Sequence, residues 1–110
     1  MINPKHYTYR VYWIEEDGEY VGLCAEFPSL SHLDNSMETA LAGITALVSD
    51  IVEDMEKSGE EPPAPISTRR YSGRFQVRTS PDLHRALAMQ AAEKNMSLNR
   101  YITDKLARSK

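Results

Sequence analysis

A single cysteine, Cys24, is all this chain has. An intramolecular disulfide is excluded, and so is a cysteine-rich metal site. The three histidines, His6, His32 and His84, lie far apart in sequence and do not suggest the converging ligands of a zinc centre. No apolar run approaches the roughly 20 residues needed to span a bilayer. The start, Met1-Ile2-Asn3-Pro4-Lys5-His6, lacks the core of a secretory signal. These absences fit a cytoplasmic protein with no metal and no cofactor. Basic residues are scarce in residues 1–66, with three Lys/Arg against thirteen Asp/Glu, a balance of −10. Acids are scarce in residues 67–110, with three Asp/Glu against ten Lys/Arg, a balance of +7. The two halves sum to the net −3 of the whole.

That split predicts two small domains, 1–66 and 67–110, with different partners. A basic segment joined to an acidic one points to a nucleic-acid-binding tail on a body that avoids nucleic acid. A unit of about 40 residues with neither metal nor disulfide rarely stands alone, so the tail is expected to fold as a dimer.

In the acidic part, residues 6–14 are aromatic and β-branched, with Tyr7, Tyr9, Val11 and Trp13 on one face of an expected strand. Asp17-Gly18 signals a hairpin. A second strand is expected over 20–27, with Val21, Leu23, Ala25 and Phe27 towards the core, ended by Pro28; a short third strand is expected over 29–33. Ser36 is a good helix cap, with Glu38 in the first turn. From Met37 to Met55 apolar residues recur at steps of three and four, one wide stripe interrupted by Gly43. Lys57-Ser58-Gly59 ends the helix, and Glu60-Glu61-Pro62-Pro63-Ala64-Pro65 is a stiff connector. Three strands with a helix packed on one sheet face are the simplest solution.

In the basic part, Arg74-Phe75-Gln76-Val77-Arg78-Thr79 alternates strictly, as a strand would. Ser80-Pro81-Asp82 starts a helix, Lys94-Asn95 ends it, and Ser97 caps another. A lone strand is not stable, but two copies can pair antiparallel. Such a ribbon presents Arg74, Gln76 and Arg78 from each chain and fits the DNA major groove. Arg suits guanine and Gln suits adenine, at roughly 1–3 kcal/mol of discrimination per good pair. The second helix, beginning at Ser97-Leu98-Asn99, offers free N–H groups for a phosphate, and Arg85 and Arg100 add attraction without sequence preference.

Residues 73–108 resemble a ribbon-helix-helix domain of the Arc/MetJ type. The alternating segment 74–78 and the turn Asn95-Met96-Ser97-Leu98-Asn99-Arg100 carry the likeness. The resemblance implies base reading by Arg74, Gln76 and Arg78, and phosphate binding by the backbone of Ser97, Leu98 and Asn99. Glu16-Asp17-Gly18-Glu19-Tyr20-Val21-Gly22, Glu26-Phe27-Pro28-Ser29-Leu30 and Glu38-Thr39-Ala40-Leu41 are similar to HicB antitoxins, with Pro28-Ser29 where proline-glycine is usual. That likeness implies an α+β protein. Its first domain would be a small β-β-β-α-β unit resembling a degenerate ribonuclease H fold, and a ribbon-helix-helix dimerisation domain would follow. It also implies a HicA-type toxin, an mRNA endonuclease, as protein partner, operator DNA as the second partner, and a homodimer or a tetramer assembled from two dimers.

Two other readings stand beside it. One is a ribbon-helix-helix regulator whose acidic domain binds another ligand or protein, with no toxin. The other is a nuclease, which needs converging carboxylates; residues 6–14 contain no Asp or Glu, so the expectation is a binding protein and not an enzyme.

Overall fold

A three-stranded antiparallel sheet in the order β1-β2-β3 forms one layer of the first part of the chain, with β1 Tyr9–Ile14, β2 Glu19–Cys24 and β3 Ser31–Asp34. A single long helix, α1 Met37–Lys57, forms the other layer and packs across all three strands. The computed structural model describes residues 2–109. It divides into two compact units, Met1–Ser72 and Gly73–Lys110. The chain is thus α+β, a three-stranded sheet followed by helices.

Local chemistry accounts for these elements. The β1–β2 turn closes through the Gly18 N–H donating to the Ile14 carbonyl at 3.0 Å, with Gly18 in the left-handed region at φ +62°. Ser36 caps α1, its hydroxyl accepting the Thr39 N–H. The helix buries Ala40, Ile44, Val48 and Val52, which repeat every fourth residue against the sheet. Cys24, Tyr7, Ile44, Val48 and Val52 make the core, and Phe27 meets the Tyr7 ring edge-on at 5.3 Å.

The core-facing register of β2 differs from the expectation. Gly22 and Cys24 face α1, while Val21, Leu23 and Ala25 point to the other side of the sheet. Gly22 is the reason. A Cβ there would stand 2.6 Å from the Ala40 carbonyl, so its absence lets the helix backbone approach the strand. Strand limits also tighten: β1 begins at Tyr9 after a 3-10 turn over Pro4–His6, and β2 stops at Cys24, where a turn carries the Phe27 N–H back to the Cys24 carbonyl.

Two expected strands are not formed among the described residues. The strand after the long helix is replaced by irregular chain and a 3-10 turn, Ile66–Thr68. Pro62, Pro63 and Pro65 lack the N–H groups a ladder requires. This segment is instead strapped to its own unit. The Tyr7 hydroxyl donates to the Pro63 carbonyl at 2.8 Å, the Ile66 N–H donates to Glu26, and the Ser67 hydroxyl donates to the His6 carbonyl. Residues 74–79 likewise belong to no strand and have no strand beside them among the described residues.

In the second unit, α2 Pro81–Glu93 and α3 Leu98–Arg108 pack together. Asn95, at φ +54°, makes the turn between them. Ser80 and Ser97 cap the two helices.

Candidate functional site

The second unit buries very little of itself. Ala91 and Tyr101 are its only buried apolar side chains among the described residues, while Phe75 is 75% exposed and Val77 69%. Leu83, Met89 and Leu106 are also exposed. Tyr101 anchors the helix pair. Its hydroxyl donates to Gln90 Oε1 at 2.6 Å, and the ammonium groups of Lys94 and Lys105 lie over its ring at 5.9 and 5.7 Å.

A groove of about 690 Å³ runs between residues 73–77 and one face of α3. Arg74, Gln76 and Asn99 border it, and Phe75, Ile102 and Leu106 supply its apolar lining. Three of the six expected site residues therefore meet in one groove. Arg78 and Ser97 are exposed and Leu98 is half-buried, and all three lie outside that lining. The Ser97 hydroxyl accepts the Arg100 N–H at 3.1 Å. The N–H groups of Leu98 and Asn99, in the first turn of α3, have no intrahelical carbonyl to bond. That end of the helix is electropositive. The unit carries eight Lys/Arg against three Asp/Glu, a balance of +5, and the first unit carries five against thirteen, a balance of −8. Ile102 and Leu106 belong to the apolar face that spacing predicts for this helix, together with Leu98 and Tyr101, and Thr103 is the addition. The spacing of 102, 103 and 106 on one helix face was the available signal.

Cys24, His32 and Asp34 of the first unit are held by structural contacts. Burial pushes the Cys24 thiol up; the backbone N–H of Glu26 opposes this, while the Glu26 carboxylate adds to it, and the net rise disfavours a reactive thiolate. His32 Nε2 lies 3.2 Å from Asp34 Oδ2. The Asn35 N–H and then His32 hold the Asp34 carboxyl below its ordinary value. Among the described residues no three His, Cys, Asp or Glu are grouped so as to hold a metal ion, and no helix is long and apolar enough to cross a membrane.

The family model described as "HicB family" matches residues 51–106, just over half of the chain, from the last turns of α1 through most of α3. No curated protein matches, and no solved structure matches.

Proposed function

Because this chain belongs to the HicB family, which places it with toxin–antitoxin systems, we propose that it is an antitoxin with two binding jobs and no catalysis. The acidic first unit neutralises a HicA-type mRNA endonuclease. The basic second unit pairs with a second copy, forms a ribbon-helix-helix dimer and represses its own operon at operator DNA.

The observation that carries the reading is the alternation at 74–78 in its setting. Phe75 and Val77 are exposed and line the same groove as Arg74 and Gln76, against Ile102 and Leu106 of α3. Pairing with the same segment of another chain would satisfy the unladdered backbone and cover Phe75 and Val77 in one step. It would also leave the arginines and glutamines of both chains on the outer face, where a two-stranded ribbon enters the major groove. The exposed start of α3 is suited to a neighbouring phosphate. The −8 charge of the first unit favours a basic partner such as a protein that handles RNA.

The test is co-purification with the product of the adjacent reading frame, a toxicity rescue assay, and a mobility-shift assay on the DNA upstream of the pair. Rescue together with specific retardation is expected. A partner whose toxicity persists when this protein is co-expressed would refute the antitoxin half. Absence of any sequence-preferring DNA complex would refute the repressor half.

A further inference from the structure

The first unit covers only one side of its sheet. α1 takes the side of Gly22 and Cys24, and no second layer packs on the other side among the described residues of the unit. The strand register sets out what that open side carries. Tyr12, Val21 and Leu33 stand in one row across all three strands, and Arg10, Leu23 and Ser31 form the next. Val21 is buried between its neighbours, while Tyr12 is 41% and Leu33 44% exposed. Beyond the second row, at the end of β2, lies a hollow of about 390 Å³ bordered by Thr8, Arg10, Leu23, Cys24, Ala25 and Pro28. The Arg10 guanidinium sits 4.8 Å over the Tyr12 ring, which holds it along the wall. At the opposite end, Glu16 and Asp17 of the turn and Glu19 at the start of β2 make an acidic rim, while the Glu15 carboxylate is turned to the α1 side, accepting the Trp13 indole N–H at 2.8 Å.

We propose that this open sheet face is the surface on which a basic protein partner docks, with an apolar side chain of the partner seated in the hollow. An apolar stripe, a socket and a charged rim are the composition of an interface with a central anchor and a steering edge. Charge selects the occupant. A second copy of the face would bring two units of balance −8 together, whereas a basic protein meets the rim with attraction. The proposal rests on the antitoxin reading above and names the surface that reading requires.

The experiment uses the full chain and the purified product of the adjacent reading frame, with affinity measured by calorimetry. Leu33→Glu and Tyr12→Glu are expected to weaken the complex about 100-fold or more, as loss of central anchors does. Met37→Glu, exposed on α1, is expected to stay within about threefold. The milder Leu33→Ser and Tyr12→Ser, whose side chains are already half in water, are expected to lose about tenfold while thermal unfolding and operator binding stay unchanged. Wild-type affinity in the serine and glutamate variants would overturn the proposal and leave the antitoxin reading intact. No complex with the wild-type chain would overturn both. A change in the mass of the unliganded chain by Leu33→Glu, with partner affinity unaltered, would make the face a contact between copies and overturn the proposal.

Discussion

The imidazole of His32, on β3, occupies the space where a side chain on Gly43 of α1 would stand. The same ring reaches Asp34 at 3.2 Å, so its position is fixed from two sides. This relationship explains a glycine in mid-helix, where it costs about 1 kcal/mol relative to alanine in propensity. Gly43→Ala is therefore expected to destabilise the first unit by about 1–3 kcal/mol, because overpacking outweighs the gain in propensity. Adding His32→Ala should restore most of the loss. Urea unfolding of the single and double variants checks both the sign and the coupling.

Glu26 ties three segments together. Oε1 accepts the Thr8 N–H at 2.9 Å, and Oε2 accepts the Ile66 N–H at 2.9 Å and the Thr8 hydroxyl at 3.2 Å. Partial burial pushes its carboxyl up, but the N–H groups of Ile66 and Thr8 together outweigh this and hold it below the ordinary 4.5. A depressed folded value means that the stabilisation is present above the ordinary value and is lost as pH falls through the folded one. Glu26→Gln is expected to cost about 1 kcal/mol near neutral pH and to expose residues 66–72 to limited proteolysis. Stability measured against pH should show the variant and the parent converging in acid. A constant difference at every pH would contradict the charge-based account.

Much of this fold was legible because local signals agreed with one another. Ser36, the apolar stripe and Lys57 delimit α1, and Ser80-Pro81 and Ser97 start α2 and α3 where expected. The register of β2 was not legible. Alternation ranks Val21 and Leu23 as core by hydrophobicity, yet the face towards the helix is chosen by Gly22, whose missing side chain admits the Ala40 backbone. Backbone approach of that kind leaves no hydropathy signal. The open sheet face is hidden in the sequence for the same reason, since Val21 is buried but lies outside the core cluster under α1. At the candidate site, alternation and capping single out Arg74, Gln76 and Asn99, but their meeting in one groove leaves no signal in either pattern. Residues 74–79 are irregular, although their alternation predicts a strand.

Phe75 is more exposed than any other large apolar side chain described, and Val77 is close behind. If the ribbon pairs two copies, Phe75→Ala removes roughly 1.5–3 kcal/mol of burial per chain. Because both protomers lose it, the dimer should weaken by about 100-fold or more. The helix content of the dilute monomer should hardly change, since Phe75 buries little there. Sedimentation equilibrium of parent and variant decides the matter, and an unaltered dimerisation constant would remove Phe75 from the interface.

Base reading and phosphate attraction can be separated by which arginine is removed. Arg74 and Arg78 flank Gln76 on the expected outer face of the ribbon, whereas Arg85 lies on α2 and Arg100 on α3. Arg74→Ala and Arg78→Ala are expected to lose about 1–3 kcal/mol of discrimination at particular base pairs, since a bidentate guanine contact has no substitute. Arg85→Ala and Arg100→Ala should lower affinity evenly across sequences and reduce the salt dependence, because each gives up released counterions and no base edge. The Arg100→Ala change leaves the backbone N–H that bonds Ser97 in place, so the cap of α3 survives it. Binding measured on a set of single-base operator variants at two salt concentrations distinguishes the classes. Equal loss on all operators for Arg74→Ala and Arg78→Ala would reassign both residues to the phosphate backbone.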